Sequence, residues 1–548
     1  MPPFLKNHRI AEVLRMGYMV NKTIGTCLHE RANKFSDKEA MGIADWSCSY
    51  EELDRTSDLF ASHMLAEGLV KGDRIGIWSV NSPNWIITFL AAVKIGVIPF
   101  LMNTHYKAME LSDLLDFSEL KVLYYGCGCK DLVYEDIIAT IRYKSERRER
   151  FIHIDEKEPG FWMTSGSFPK SISSKEAVDR LNRAKSRVLP DDTACVMFTS
   201  GTTSNPKGVM LSHKSLLTNA SSVVKSMRWN SEDRMCLAVP LFHSFGVTVG
   251  ILASIICGAS IEVLPYYKTS SVWAAIENKK CTILNGVPSM FLALVKKDEG
   301  IEHDGSGVRS GIIAGSPIKE DEFCEIRKKF VNIHLQPSYG MTETSPALTI
   351  ADWNEPDAQK ANGCGFPLEG VSIRIADAET GSLKKTGEEG EIQAKGYNVM
   401  QGYYNQPEET AKVITKDGWL KTGDIGYIDE YNELHVSGRI KDIIIRNGEN
   451  ISPTEIEAAI KKYEGVDEVK VVGIPATIRQ EEVVALIQPK KGIELSKEKI
   501  FEMLENRLAK YKIPSYIFFV SGFPQTATGK IDIKELKQTA TMIIHNSA

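Results

Sequence analysis

At 548 residues the chain is too long for one ordinary core, so two or more domains are expected. Its 43% apolar and 25% charged residues are ordinary for a soluble globular protein, and a net charge of −5 gives no electrostatic case for nucleic-acid binding. The 10 cysteines are scattered without a C-x-x-C pair, and the lone C-x-C of Cys127 and Cys129 is too little for a metal site, so reduced thiols in a cytoplasmic protein are expected.

In chain order, the first twenty residues lack the long apolar core of a signal peptide. Tyr50-Glu51-Glu52-Leu53 opens a helix that continues through Leu59, Ala61 and Met64. Gly72-Asp73-Arg74 is a turn before a strand at Ile75–Trp78. An apolar helix follows at Trp85–Val93, then a strand at Gly96–Leu101. Residues 143–189, with KSERRERF and SISSKEAVDRLNRAKSR, read as surface helix and loop.

Between 194 and 340, strand-like pieces alternate with helical stretches: ACVMFTS, MCLAVPL, SIEVLP, CTILNGV, SGIIAGS and NIHLQPSYG. Strands separated by helices imply parallel pairing with right-handed crossovers, and ligands of such sheets bind beyond the carboxyl ends of the strands. Thr199–Gly208, Phe242–Gly246, Ala314–Pro317 and Ser338–Glu343 all fall there. The run Val247–Leu264 is broken by Gly250, Ser254, Gly258, Ser260 and Glu262. It reads as a buried helix followed by a strand, so no transmembrane segment is expected.

After about 364, VSIRIAD, GEIQAKG and YNELHVSG suggest a β-rich subdomain. Residues 440–548 then form a small α+β unit, with KDIII, a helix at Pro453–Lys462, DEVKVVGI, EEVVALIQ, a helix at Lys497–Lys510 and YIFFV. The expected fold is α/β. A large N-terminal domain (1–439) with parallel-rich sheets and a β-rich subdomain precedes a small mobile α+β C-terminal domain (440–548). The C-terminal HNSA is not an organelle address.

The stretch that organises the rest is 194–213, ACVMFTSGTTSNPKGVMLSH. A short buried strand leads into a loop of glycines, hydroxyls and Lys207, and Ser212 then caps a helix through LLTNASSVVKSM. Glycines let backbone N–H groups approach an anion, while hydroxyls and a lysine add donors and charge, which suits nucleotide phosphates. The spacing is not the G-x-x-x-x-G-K-[ST] of a P-loop.

FTSGTTSNPKG resembles the [YF]TSGTTGxPKG signature of the acyl-adenylate-forming (AMP-binding) superfamily. Ser204 stands where that signature has glycine, and Asn103-Thr104 where Asn-Pro is usual. Further motifs follow in family order: YxEL and GDRxGI, then Ser338-Tyr339-Gly340-Met341-Thr342-Glu343, Trp419-Leu420-Lys421-Thr422-Gly423-Asp424, Gly438-Arg439-Ile440-Lys441-Asp442 with Gly448-Glu449-Asn450-Ile451, and Gln525 to Asp532. The likeness runs from about Tyr50 to Lys530 and points to the acyl-CoA synthetase branch.

The resemblance implies roles. Thr199, Ser200, Gly201, Thr202, Thr203 and Lys207 would cradle ATP phosphates. Gly315, Ser316 and Pro317, with Ser338, Tyr339 and Gly340, would lie along the adenine and the acyl group, Tyr339 offering a stacking face. Thr342 would donate to the α-phosphate, and Glu343 with Thr199 would hold Mg²⁺, which prefers oxygen ligands. Asp424 would accept both ribose hydroxyls, and Arg439 would reach ribose or phosphate. Lys530 would stabilise charge developing at the α-phosphate. His243 would line the junction of acyl pocket and thiol tunnel. Lys441 would be the hinge, and Gly448 would let backbone approach coenzyme A.

The implied reaction is ATP-dependent formation of an acyl-adenylate, followed by transfer to coenzyme A with release of AMP. Amino-acid-activating relatives carry an aspartate beside the His243 motif. None follows Phe242 here, which favours a simple small carboxylic acid. An apolar lining of Phe242, Phe245, Val247, Val287, Ile313 and Ala314 would suit a fatty or aryl acid. Two other readings stay open: loading of an acyl carrier protein's phosphopantetheine, and nucleotide binding without turnover.

Overall fold

The structure is a computed structural model that describes residues 20–144, 150–154, 174–199, 206–296, 302–316, 318, 320–440, 444–451, 453–476, 479–524 and 533–547. The large domain holds two parallel-rich sheets. The first orders its strands as Gly402–Tyr403, Lys207–Ser212, Thr193–Thr199, Ile98–Leu101, Arg74–Trp78, Val122–Tyr125 and Arg150–His153. Its last five strands run parallel, and the first two add antiparallel.

The second sheet runs Phe366–Pro367, Ala347–Ile350, His334–Gly340, Ser310–Ala314, Ile283–Leu284, Arg234–Leu237, Ser260–Val263, Glu39–Ile43 and Trp46–Ser49. It is parallel from His334–Gly340 to Glu39–Ile43. The regular alternation read over 194–340 is therefore split, since Thr193–Thr199 belongs to one sheet and the five later strands to the other. Nothing local distinguishes them: each is a short apolar run, and only the helices between decide which sheet it joins.

The helix Pro83–Lys94 buries every residue, as expected of a helix that is apolar all round. Ser82 caps it and Pro83 takes the first turn, where a missing N–H costs nothing. Helix Tyr50–Ala66 starts at a capping box. The Ser49 hydroxyl accepts the Glu52 N–H at 3.2 Å and Glu52 accepts the Ser49 N–H at 2.8 Å. Between these helices the Lys94 ammonium is wholly buried against Asp54 (2.6 Å) and Asp58 (2.7 Å).

Helix His213–Ser226 begins at the predicted cap, Ser212. Its first residue, His213, is buried, with Nδ1 accepting the Ile24 N–H at 3.2 Å, and burial pushes its pKa down from 6.5 to about 4. A depressed folded-state pKa on a base means that acid favours the unfolded chain. Stability is intact above pH 6.5 and is lost as pH falls toward 4, by about 2 kcal/mol at pH 5. Urea midpoints of the wild type should therefore fall more steeply between pH 7 and pH 5 than those of His213→Asn. Parallel pH slopes would show that His213 does not contribute.

A four-stranded antiparallel meander follows: Val371–Ala376, Gly390–Gly396, Leu420–Ile428 and Leu434–Arg439. It is the β-rich subdomain expected after 364. The C-terminal unit has its own five-stranded sheet and its own buried clusters around Ile456, Val471, Val483 and Leu536.

Two elements differ from the sequence reading. Arg150–His153, placed within a surface region, pairs in parallel with Val122–Tyr125 at the sheet edge, and its four residues are too short to show alternation above the surrounding charge. The helix Ile533–Ser547 was not foreseen, its apolar Leu536 and Ala540 being sparse among polar residues. The run Val247–Leu264 forms a π-helix Phe245–Leu252, a helix Ala253–Cys257 and a strand Ser260–Val263. Among the described residues no helix is long and apolar enough to cross a membrane.

Candidate active site

The carboxyl ends of the second sheet, the paired strands Thr193–Thr199 and Lys207–Ser212, and the meander enclose a cleft of about 1380 Å³ that the C-terminal domain closes from one side. Thr199, Lys207, His243, Gly315, Ser338, Gly340, Thr342, Glu343, Asp424 and Gly448 all line it. Ser200, Gly201, Thr202, Thr203, Pro317, Lys441 and Lys530 lie outside the described residues, as does the Arg439 side chain.

Lys207 and Gly208 were read as the end of the phosphate loop. They are instead the first residues of a strand, with Lys207 opposite Thr199 in antiparallel register. Val209 and Leu211 bury into the core, and that two-residue alternation is the signal the loop reading passed over. Pairing sets Thr199 and Lys207 side by side at the cleft.

The strand His334–Gly340 delivers the next group. A Cβ at Gly340 would stand 2.0 Å from the Pro346 carbonyl oxygen, so only glycine lets the strand pass the chain that folds back after the 3₁₀ turn Thr342–Thr344. That fold-back sets Thr342 and Glu343 at the cleft. The Ser338 hydroxyl donates to the Thr349 carbonyl at 2.8 Å, which ties the strand to its neighbour.

Tyr339 lies on the same strand, and its hydroxyl donates to Asp424 Oδ2 at 2.7 Å across 85 residues of sequence. Asp424 sits on Leu420–Ile428 directly opposite Arg439. Ser338 and Gly340 line the cleft, but Tyr339 between them does not: it packs beside Ile375, Ile392 and Leu434, and its hydroxyl holds the Asp424 carboxylate that does line the cleft. Asp424→Ala should weaken ATP binding by about 1.5–3 kcal/mol, the usual cost of losing a charged hydrogen-bond acceptor. An unchanged ATP Kd by calorimetry would contradict a ribose role.

Glu343 is buried, and its Oε1 accepts the Tyr403 hydroxyl at 2.8 Å. Burial and the Glu343 carboxylate hold the Tyr403 phenol well above its ordinary pKa, so Tyr403 remains a donor. Lys207 Nζ sits 4.8 Å over the Tyr403 ring and pairs with Glu409 at 2.8 Å. Lys207 and Lys412 keep the Glu409 carboxyl far below the usual carboxylate range. Tyr403 and Glu409 were missed from sequence, because they stand 60 and 66 positions past Glu343 and only the pairing of Gly402–Tyr403 with Lys207–Ser212 brings them in.

His243 lies on the turn before the π-helix, its ring 4.4 Å from that of Phe242. Of the expected apolar lining, Phe242, Phe245, Val287 and Ala314 face the cleft, but Val247 and Ile313 do not. Val249 and Ile312 take their places. On the helix, Phe245 and Val249 share a face four residues apart. On the strand, Ile312 and Ala314 share one face by alternation, and Ile313 points into the core on the other.

The C-terminal domain approaches through an Asn447-Gly448 hairpin turn between Ile444–Arg446 and Glu449–Ile451. Both residues have positive φ, 53° and 79°, as this two-residue turn requires. A Cβ on Gly448 would meet Val287 at 3.0 Å, so the turn packs directly on the large domain. Around it the Gln480 amide donates to the Ser316 hydroxyl and, through Oε1, accepts the Gly448 N–H at 2.9 Å. Asn103 donates to the Tyr511 hydroxyl at 3.2 Å, and Lys512 bridges Glu110 and Glu455 at 2.8 Å each. Of these residues Gln480, Tyr511, Lys512, Glu110 and Glu455 were not singled out in the sequence, because isolated polar side chains at an interface carry no periodic signal.

A nucleotide-sized cleft between an α/β domain and a small α+β domain, with a buried aspartate held by a tyrosine hydroxyl and a buried glutamate in its wall, defines an adenylate-forming ligase. The AMP-binding enzyme family matches residues 28–404, and its C-terminal domain family matches 455–530. The chain belongs to the AMP-binding enzyme family and is an enzyme of the AMP-forming acid–thiol ligase class.

YngI of Bacillus subtilis (strain 168), which carries an acyl-CoA synthetase name, is 32% identical over 95% of this chain and 98% of its own length. The rat mitochondrial medium-chain acyl-CoA ligase ACSF2 is 32% identical over 95% of this chain and 88% of its own. Among solved structures, a double mutant of o-succinylbenzoate CoA synthetase (MenE) from Bacillus subtilis with its product analogue OSB-NCoA superposes with a TM-score of 0.79 at 25% identity, covering 95% of this chain and 99% of that one. ATP-bound MatB from Rhodopseudomonas palustris gives 0.66 at 28% identity over 95% and 99%.

Proposed function

We propose that the enzyme activates a fatty or aryl carboxylic acid with ATP and transfers the acyl group to coenzyme A. The convergence of Thr342, Glu343 and Asp424 on a cleft that the C-terminal domain closes with Gly448 carries this reading. In the first step the substrate carboxylate attacks the α-phosphate of ATP, and pyrophosphate leaves. Asp424, held by the Tyr339 hydroxyl, fixes the ribose, Thr342 and Lys207 the phosphates, and Lys530 meets the charge that builds on the α-phosphate. Glu343 and Thr199 present only oxygen donors to the cleft, a set that suits Mg²⁺, which would neutralise triphosphate charge there. In the second step the thiol attacks the acyl carbonyl carbon and AMP leaves.

We further propose that residues 1–439 and 440–548 move as two bodies about Lys441, because Lys530 and the Gly448 turn cannot serve the same carbonyl from one arrangement. The present arrangement has Gly448 seated on Val287, and the better superposition on the product-analogue complex than on the ATP complex, at lower identity, supports its being the thioester-forming one. Free coenzyme A is favoured over a carrier protein by the coenzyme A ligase names of the relatives. The scattered cysteines fit a reducing compartment such as the cytoplasm, although the ACSF2 relatives are named mitochondrial.

The apolar face of Val249, Ile312, Met290 and Leu292, and the absence of an acid after Phe242, set the test. A panel of medium-chain fatty acids, aryl acids and α-amino acids should give pyrophosphate release with the first two and negligible release with the third. Robust release with an amino acid alone would overturn the substrate class.

A further inference from the structure

The cleft holds a group that crosses the domain boundary and that the two steps above do not use. His243 Nε2 on the large domain lies 3.5 Å from Glu449 Oε2 on the C-terminal domain. His243 keeps 37% of its side chain exposed to the cleft, whereas Glu449 keeps 18%. Glu449 follows the Asn447-Gly448 turn directly, so seating Gly448 on Val287 and bringing the carboxylate to His243 are one event.

The other charged and titratable groups around the pair are few. His105, Lys512 and Tyr511 also face Glu449, and Lys130 faces His105. Burial works to raise the Glu449 carboxyl, but His243, His105 and Lys512 outweigh it, so it stays below its ordinary value and charged. Of the two imidazoles, His105 is enclosed, burial lowering its pKa, and its Nδ1 is engaged with Thr104 and Asn103 at 3.2 and 3.3 Å. His243 is the one that opens to the cleft.

Resting on the two-step reading above, we propose that His243 is the base that takes the thiol proton in the second step, and that Glu449 is its positioning residue, delivered only when the C-terminal domain adopts the present arrangement. A carboxylate accepting the Nε2–H fixes the tautomer and leaves Nδ1 with the ring's lone pair. The thiol S–H bond breaks and its proton passes to Nδ1. The sulfur forms a bond to the acyl carbonyl carbon. The bond from that carbon to the phosphate oxygen breaks, and its electron pair leaves with AMP. Glu449 stays ionised and pairs with the imidazolium until the proton passes to water. A separation of 3.5 Å is long for a finished hydrogen bond but usual before substrate tightens the site. The proton acceptor is thereby assembled only for the step that consumes a thiol.

The experiment preloads enzyme with acid and ATP, then follows a single turnover with coenzyme A between pH 6 and 9 for the wild type, Glu449→Gln and His243→Asn. Thioester formation should fall on the order of 10²-fold in both variants at pH 7, the usual worth of a positioned base. Pyrophosphate release from the first step in Glu449→Gln should stay within about twofold of wild type by the same argument, since that step uses no thiol base. A thiol of low pKa, already ionised at pH 7.5, should be acylated at nearly equal rates by all three proteins.

If Glu449→Gln slows the ionised thiol as much as coenzyme A, Glu449 only docks the domain and the proposal is overturned. Wild-type enzyme that forms no adenylate with any acid would overturn the functional reading and this proposal with it. That outcome is distinguishable because it appears before thiol is added.

Discussion

Lys530→Ala should lower acyl-adenylate formation on the order of 10²–10³-fold, the effect typical of a single preorganised donor removed from a site of developing charge. The α-phosphate gains charge in the first step, and a point cation carried on the C-terminal domain can be brought to it and then withdrawn. The present arrangement places the Gly448 turn at the cleft, with Gln480, Tyr511 and Lys512 as its outer contacts. Thioester formation from supplied acyl-adenylate should therefore survive in Lys530→Ala. Lys441→Pro should show the reverse pattern, because a fixed φ at the hinge restricts rotation. Equal loss of both half-reactions in both variants, with circular dichroism unchanged, would exclude alternation of the domain.

The second large effect is expected at Glu343. Glu343→Gln keeps the shape of the side chain and leaves an oxygen for the Tyr403 hydroxyl, so thermal stability should barely change. It removes the only charge that the Thr342–Thr344 turn brings to the cleft. Pyrophosphate release should fall about 10²-fold or more, as for other electrostatic groups at phosphoryl chemistry. Titration with Mg²⁺ separates the causes: a loss that raised Mg²⁺ partly restores places Glu343 at the ion. Full activity at ordinary Mg²⁺ would remove Glu343 from the mechanism.

The parts legible in the sequence were those with local signals. Ser212 and the apolar spacing behind it place a helix whose cap the structure reproduces. The meander was visible as polar-flanked strands, and the phosphate and nucleotide motifs were visible because each is a run of adjacent residues. Pairing across distance was not visible. Whether Thr193–Thr199 joins the first or the second sheet is decided by crossovers, and Lys207–Ser212 became a strand through its neighbours Thr193–Thr199 and Gly402–Tyr403. Tyr403 reaches Glu343, and Glu449 reaches His243, through tertiary contacts with no fixed spacing. Val247 and Ile313 were given to the pocket when Val249, two residues on, and Ile312, one residue before, face it, since the register of a buried apolar run cannot be read from composition. Glu449 stood inside a quoted motif but was overlooked beside Gly448, whose conformational role is the more conspicuous in sequence.

The central claim is that ATP is cleaved between its α- and β-phosphates by a carboxylate and that the acyl group then passes to a thiol. The most direct measurement incubates purified enzyme with ATP, Mg²⁺, a medium-chain fatty acid and coenzyme A, and resolves every product by mass spectrometry, with ¹⁸O in the acid's carboxyl group. The account predicts AMP, pyrophosphate and acyl-CoA in equal amounts, with one ¹⁸O transferred to AMP. Formation of ADP and phosphate, or of AMP without the label, would contradict it.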